Sequence, residues 1–189
     1  LYSIDTTKAE VAKEAVRAGC HLVNSVSGQI DPTFLEVANR DSTAYVCMHA
    51  QGAPKTMQDN PSYGDVVEDV KQFFEEFIHH APNTAPSLGS IIIDPGFGFG
   101  KRLEDNLDLM KHLEEFVKIG HPVLVGVSRK SMIASILDGQ SVDDRLNGTT
   151  VLHTVACLAG VHILRVHDVK EAVETTRIVS ALHKGRSTP

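Results

Sequence analysis

The chain has 189 residues, enough for one domain with a substantial apolar core, and 42% of them are hydrophobic. Its formal net charge of −6 gives no electrostatic support for binding nucleic acid, so we expect no such partner. No apolar run approaches the ~20 residues of a membrane-spanning helix, and we expect no membrane association. The cysteines, Cys20, Cys47 and Cys157, lie far apart in apolar or small-residue surroundings, which is typical of reduced thiols in a cytoplasmic protein.

Short apolar runs and amphipathic helical patterns alternate along the chain. Strands are predicted at residues 1–5, 21–24, 44–48, 91–94, 122–126 and 161–165. Helices are predicted at residues 8–18, from 31 onward, and at 63–80, 103–117, 129–137, 142–160 and 169–182, with a linker at 81–89. Such alternation with short connections is typical of parallel strands joined by right-handed helical crossovers. We therefore predict an α/β fold that forms a single domain over residues 1–189.

Residues 91–101 form the most informative stretch, Ile-Ile-Ile-Asp-Pro-Gly-Phe-Gly-Phe-Gly-Lys. Asp94 ends a buried strand, and the glycines that follow let the backbone turn sharply or lie against a flat ligand. The spacing fits neither the phosphate-binding P-loop nor the dinucleotide fingerprint, whose third glycine would fall on Lys101. A buried carboxylate needs hydrogen-bond donors, and a planar ligand with several N–H groups would supply them. The alternative is an ordinary turn in which Asp94 caps the next helix.

Polar side chains lie at or just past the C-terminal ends of the predicted strands. They are Asp5, Asn24, Asp94, Ser128, Arg129, Lys130, Arg165 and His167. Ligands bind at that edge in parallel α/β folds, so we interpret these side chains as one pocket. Arg165 and His167 are two residues apart and can point to the same side as an anion clamp. The alternative is that Arg165 pairs with a carboxylate and His167 caps a helix, and Arg129 could equally lie on the surface.

Five motifs resemble those of the dihydropteroate synthase family. They are residues 3–6 (Ser-Ile-Asp-Thr), 48–52 (Met-His-Ala-Gln-Gly), 94–101 (Asp-Pro-Gly-Phe-Gly-Phe-Gly-Lys), 126–131 (Gly-Val-Ser-Arg-Lys-Ser) and 165–168 (Arg-Val-His-Asp). They occur in the family's order and at matching spacing, from residue 1 to about residue 182. The resemblance implies a TIM-type (β/α)₈-barrel enzyme of folate biosynthesis. Such an enzyme condenses 6-hydroxymethyl-7,8-dihydropterin pyrophosphate with para-aminobenzoate, giving 7,8-dihydropteroate and pyrophosphate.

The resemblance also implies which residues bind the pterin. Its hydrogen-bonding edge would be held by Asp5, Asn24, Asp94 and Lys130. Of these, Asp94, Lys130 and Asp5 would be catalytic, because the buried carboxylates favour the pterin cation that forms when the carbon–oxygen bond breaks. Met48 and Phe99 would pack beside the pterin ring.

The resemblance implies that the later motifs bind the pyrophosphate and the para-aminobenzoate. Arg165 and His167 would grip the pyrophosphate, assisted by Mg²⁺, and Ser128 and Lys130 would lie near the para-aminobenzoate site, where sulfonamides compete in this family. Members of the family are usually homodimers through their late helices. The helix predicted at 142–160 is apolar on more than one face, which agrees with such a partner helix.

The chain departs from the family at two places. Asn24 is followed by Ser25, where the family carries an acidic residue. Family members also have two further βα units before the first motif, and these supply a metal-binding Asn and cover the para-aminobenzoate site. Since six strands cannot easily close an eight-stranded barrel, we expect a truncated chain that forms the C-terminal three quarters of the barrel. No metal ligand is expected within it.

Two other functions fit part of this pattern. A methyltetrahydrofolate-type methyltransferase would share the pterin contacts but would have no use for the predicted anion clamp. A non-catalytic pterin-binding remnant would be consistent with the missing units. Formation of pteroate that sulfonamide inhibits would distinguish the synthase from both.

Overall fold

The computed structural model describes residues 1–25, 31–39, 43–52 and 56–184, in which six strands alternate with eight α-helices. The strands are β1 (Ser3–Thr6), β2 (Leu22–Ser25), β3 (Ala44–Met48), β4 (Ile91–Asp94), β5 (Leu124–Val125) and β6 (Ile163–Leu164). The helices are α1 (Ala9–Arg17), α2 (Pro32–Asn39), α3 (Val66–Thr84), α4 (Leu103–Lys111), α5 (Leu113–Val117), α6 (Ser131–Ile136), α7 (Leu146–Leu158) and α8 (Val169–Lys184). A 3-10 helix, Val142–Arg145, leads into α7. None of the described helices has the length and apolar character needed to cross a membrane.

The strands follow one another in chain order and are all parallel. β1 to β4 form one sheet, and β5 pairs with β6. The two sheets meet at β4, where Ile93 bridges Val123 and the Ile93 amide donates to the Pro122 carbonyl at 2.9 Å. This arrangement confirms the predicted α/β fold of TIM-barrel type. Among the described residues no pairing joins β6 back to β1, so the barrel is incomplete, as six βα units require.

The register of the parallel strands places their C-terminal ends along one edge. Asp5 lies opposite Asn24 in the β1–β2 pair, and Met48 lies opposite Asp94 in the β3–β4 pair. In parallel α/β folds this is the edge from which loops reach a ligand.

Helices cover the outer face of the sheet because each carries an apolar stripe. In α3, Val70, Phe74 and Phe77 are fully buried at intervals of four and three residues, and the Phe77 ring stacks on Tyr45 of β3 at 5.7 Å. A smaller cluster on the inner face contains Val46, Ile92 and Leu124. The central strands β3 and β4 are therefore buried on both faces, as parallel strands in such folds are, whereas β1 at the sheet edge is partly exposed.

Two helix predictions are wrong in detail. α3 continues to Thr84, so residues 81–84 are helical rather than linker; Ala81 and Ala85 are both buried, and this packing keeps the turn around Pro82 in the helix. The helix predicted at 103–117 is two helices, because His112 adopts φ −110° and ψ 24° between α4 and α5.

Candidate active site

Asp5 and Asn24 form a polar pair at the ends of β1 and β2. The Asn24 amide donates to Asp5 Oδ1 at 3.0 Å, and the second Asp5 oxygen accepts from the guanidinium of Arg165, which follows β6. Asn24 is 3% exposed, yet its own oxygen, Oδ1, has no hydrogen-bond partner among the described residues. A buried acceptor left unpaired is costly, so this oxygen is available to a ligand that donates.

Asp94, at the end of β4, is 5% exposed. Burial raises the pKa of its carboxyl group, while Lys130, the Gly96 N–H, Lys101 and Arg165 act to lower it. The Gly96 N–H donates to Asp94 Oδ1 at 2.8 Å.

The alternative prediction, in which Asp94 caps the following helix, is wrong. Arg102 is the N-terminal cap of α4, and its backbone N–H donates to the carboxylate of Asp105 at 2.8 Å. The glycine loop therefore separates Asp94 from the helix, and the carboxyl group stays at the strand end.

Side-chain donors hold every carbonyl of the glycine loop, which we define as residues 96–100. Lys101 donates to Gly96 and Phe99, Lys130 to Phe97, Gln58 to Gly98 and Tyr63 to Gly100. The loop also lies backbone to backbone against residues 49–51. A Cβ on Gly96 would stand 1.9 Å from the His49 carbonyl oxygen, and one on Gly100 would stand 2.1 Å from that of Gln51. Both glycines have positive φ, of 69° and 61°, so only glycine fits there.

Lys130 donates to the glycine loop at Phe97, and its charge acts on Asp94. Its ammonium sits 4.5 Å from the centre of the Phe99 ring, a favourable cation–π arrangement. Burial lowers the pKa of Lys130 to about 8, against the opposing effect of Asp94. Met48 is buried next to Gly96, with its Cγ 3.3 Å from where a Gly96 Cβ would stand. Of the two side chains predicted to flank a ring, Met48 is thus beside the strand end that carries Asp94, and Phe99 lies against the Lys130 ammonium.

A cleft of about 370 Å³ opens beyond Lys130. We call it the cationic cleft; it is lined by Gly126, Ser128, Arg129, Lys130, Val142, Arg165 and His167. Ser128 Oγ lies 2.9 Å from His167 Nδ1 and accepts the His167 backbone N–H at 3.2 Å, so β5 and β6 are tied together at its floor. The Arg165 side chain is 53% exposed. Arg165 pairs with the carboxylate of Asp5, as the alternative prediction for this arginine states. The Arg165 side chain also lines the cleft.

Arg129 is held by a carboxylate rather than lying free on the surface. Its Nε and Nη2 donate to the two oxygens of Asp168 at 2.9 and 2.7 Å, and its backbone adopts φ 56°. The Arg129 N–H donates to Thr149 of α7 at 3.0 Å. These contacts fix the loop that carries Ser128 and Lys130. This pair was not predicted from the sequence, although Asp168 directly follows His167.

The structure brings the predicted site residues to one edge of the sheet. Contacts link Asp5 to Asn24 and Arg165, and Ser128 to His167, while Lys130 and Arg165 line the same cleft. The supports of the glycine loop were missed. His49 and Lys101 lie within the motifs at residues 48–52 and 94–101, and this is their only signal in the sequence. No sequence pattern indicated Gln58 or Tyr63.

Comparison with known proteins identifies the family. The family model described as "Pterin binding enzyme" matches residues 1–167. The chain belongs to the pterin binding enzyme family. All the predicted site residues of the chain lie within the matched range.

Individual relatives agree with that assignment. The dihydropteroate synthase of Escherichia coli K12 is 43% identical over 180 residues, which are 95% of this chain and 63% of that protein. The crystal structure of dihydropteroate synthase from Thermus thermophilus in complex with 4-aminobenzoate superposes with a TM-score of 0.90 at 42% identity, covering 96% of this chain and 74% of that one. The same enzyme in complex with 6HMPPP also gives a TM-score of 0.90, at 42% identity, covering 96% of this chain and 72% of that one. The chain thus spans less than two thirds of the E. coli relative.

Proposed function

We propose that this pterin binding enzyme, as a single domain over residues 1–189, performs the dihydropteroate synthase reaction. In that reaction a dihydropterin pyrophosphate condenses with para-aminobenzoate and releases pyrophosphate. The observation that carries the proposal is a buried set of acceptors, Asn24 Oδ1 and the Asp94 carboxyl group, beside a cleft lined by cations. The proposal is also supported by similar proteins. The E. coli relative is named dihydropteroate synthase, and the Thermus enzyme was solved in complex with 4-aminobenzoate and with 6HMPPP.

The acceptor groups suit the edge of a pterin ring. A pterin presents N–H donors in a plane, and Asp5, Asn24 and Asp94 offer oxygens at the C-terminal ends of β1, β2 and β4 in one parallel sheet. Lys130 would donate to an acceptor of the same ring, while Met48 and Phe99 would cover its apolar surface. Asn24 and Asp94 are buried, but Asp5, expected to be a buried carboxylate, has a side chain that is 35% exposed because β1 is an edge strand. Leaving Asn24 or Asp94 without a donor is costly, which gives selectivity for a ligand with the matching pattern.

The cationic cleft suits the leaving group. As the carbon–oxygen bond of the pterin methylene breaks, its electron pair leaves with pyrophosphate, and the methylene carbon then bonds to the amine nitrogen of para-aminobenzoate. That nitrogen gives up one proton. Arg165 and His167 would stabilise the growing charge on pyrophosphate, and Asp94 and Asp5 the positive charge on the pterin.

Ser128 and Lys130 line the cationic cleft and would contact the para-aminobenzoate, where sulfonamides would compete. A methyltransferase that binds a folate would not need a cleft with these cations, so we favour the synthase. A non-catalytic remnant would bind the pterin yet form no product.

Mg²⁺, which the resemblance implies, does not fit the described side chains. In residues 1–25, 31–39, 43–52 and 56–184 no three His, Cys, Asp or Glu side chains stand together as ligands. Asp5 is bound to Asn24 and Arg165, and Asp94 to Gly96. We therefore assign every step above to the side chains of the chain itself.

We also propose a homodimer and a cytoplasmic location. Val151, Val155 and Leu158 are 54, 38 and 51% exposed along one stripe of α7, and Ile178 and Leu182 of α8 are 64 and 63% exposed. A partner copy would cover these apolar side chains, and sedimentation as a monomer at micromolar concentration would contradict the dimer. The free thiols of Cys20, Cys47 and Cys157 support a reducing compartment.

Calorimetric titration with a dihydropterin pyrophosphate analogue tests the proposal, with Asp94→Asn beside the parent and Asp108→Asn as an exposed control. The parent and the control should bind, and Asp94→Asn should bind about 100-fold more weakly because an amide replaces an acceptor oxygen with a donor. Equal affinity of all three chains would overturn the assignment of Asp94. Product formation with para-aminobenzoate then separates an enzyme from a remnant that only binds.

A further inference from the structure

Lys101 places a buried ammonium group behind the glycine loop. The residue is 3% exposed, and its Nζ donates to the carbonyls of Gly96, Phe99 and His49 at 3.1, 3.2 and 3.3 Å. It also lies 2.9 Å from His49 Nδ1. A buried lysine usually has a carboxylate partner, but none of the ion pairs among the described residues includes Lys101. Its partners are neutral acceptors from two loops.

Two of those acceptors belong to the residues that hold Asp94. The Gly96 N–H donates to Asp94 Oδ1 at 2.8 Å, and the His49 N–H donates to the Asp94 backbone carbonyl at 3.0 Å. Gly96 and His49 therefore each donate a backbone N–H to Asp94 and accept a hydrogen bond from Lys101 at their carbonyl oxygen. The ammonium group closes a ring of hydrogen bonds around the buried carboxyl group without touching it.

We propose that Lys101 is a positioning residue for Asp94, holding its backbone through His49 and its carboxyl group through Gly96. The inference rests on the proposed role of Asp94 in binding the pterin. Lys101 reaches no substrate in this arrangement, because its donors are already engaged by the protein.

The charge of Lys101 adds an electrostatic effect to this geometry. The charged groups that act on Lys101 are Asp94, Lys130 and Asp105, and the Tyr63 ring lies 6.0 Å from its ammonium. Those that act on Asp94 are Lys130, Lys101 and Arg165.

Burial lowers the pKa of Lys101 to about 7, and the Lys101 charge in turn lowers the pKa of Asp94. The support that Lys101 gives to an ionised Asp94 is therefore strongest below pH 7 and fades as the ammonium group loses its proton. A role limited to packing would show no such dependence on pH.

The test compares Lys101→Met with Lys111→Met, which removes an exposed lysine from α4. The titration of the Asp94 carboxyl group is followed by carbon-13 NMR without ligand, with Asp94→Asn used to assign the signal. We expect its midpoint to rise by about one pH unit in Lys101→Met and to stay unchanged in the control. An unchanged midpoint in Lys101→Met would overturn the proposal.

Affinity for the dihydropterin pyrophosphate analogue provides the second measurement. We expect Lys101→Met to bind about tenfold more weakly at pH 6, with a smaller loss at pH 8.5, where the parent lysine is largely neutral. A loss of equal size at both values would indicate packing alone and would contradict the proposal. If the parent does not bind the analogue, the proposed function fails, but the ligand-free titration still decides the role of Lys101.

If Lys101→Met does not fold, the hydrogen bond between Lys101 and His49 can be tested in the parent protein. An ammonium group at Lys101 can only donate, so His49 Nδ1 must accept and the proton must sit on Nε2. Nitrogen-15 shifts of the His49 ring between pH 6 and pH 7 should report this tautomer. A proton on Nδ1 would show that the ring of hydrogen bonds does not form.

Discussion

The two halves of the site are built differently. On the side that we call the acceptor side, Asp5, Asn24 and Asp94 lie at the C-terminal ends of strands of four residues in a continuous sheet. Asn24 and Asp94 are 3 and 5% exposed, while the Asp5 side chain, on the edge strand, is 35% exposed. The cationic cleft follows two strands of only two residues each, and the Arg165 side chain on it is 53% exposed.

That difference matches the two kinds of group that the site would bind. Hydrogen bonds to a flat ring require acceptors in fixed positions, so the acceptor side is held by backbone contacts and buried donors. A pyrophosphate is bound mainly through charge, and long cationic side chains can adjust to it as it leaves. Changes on the acceptor side should therefore affect folding and binding together, whereas changes in the cationic cleft should affect binding alone.

Gly96→Ala should have the largest effect. The new Cβ would stand 1.9 Å from the His49 carbonyl oxygen, at a φ of 69° that alanine disfavours, so the free energy of unfolding should fall by about 4 kcal/mol. Gly120→Ala is the matched control, because its φ is 89° and no atom of the described residues lies within 4 Å of where its Cβ would stand. Urea unfolding at low temperature should show a loss of only about 1–2 kcal/mol there. Similar losses in both variants would mean that the glycine loop can move away from His49.

The order of strands and the edge where the site lies were predictable from the sequence, because they follow from the period of apolar residues and from polar residues at strand ends. The helix break at His112 was not predictable, since the apolar pattern continues through it. Side-chain contacts between residues far apart in the sequence were also not predictable. Gln58 donates to Gly98, 40 residues away, and Arg129 pairs with Asp168, 39 residues away, and neither contact leaves a local pattern.

Arg165→Met tests the cationic cleft. Losing a charged donor should weaken binding of inorganic pyrophosphate about 30-fold, most strongly at low salt. Because Arg165 is exposed and its ion pair with Asp5 is on the surface, the free energy of unfolding should change by less than about 0.5 kcal/mol. Arg17→Met, on the exposed face of α1, should change neither quantity. A loss of stability with unchanged affinity would instead make Arg165 a structural tether for Asp5.

His49 gives the acceptor side a sensitivity to acid. Burial, and then the charge of Lys101, lower its pKa to about 3, whereas an unfolded chain titrates it near its ordinary value of 6.5. The unfolded state therefore binds more protons between those values, and stability is lost as the pH falls. From pH 7 to pH 5 this histidine should lower the free energy of unfolding by about 2 kcal/mol. In His49→Asn the amide oxygen can still accept from Lys101, and the part of the stability loss that is due to His49 should disappear. His80→Asn, which replaces an exposed histidine, should lose stability with falling pH as the parent does. Urea unfolding across this pH range measures all three, and equal slopes in the parent and His49→Asn would mean that the His49 ring can be protonated without opening the acceptor side.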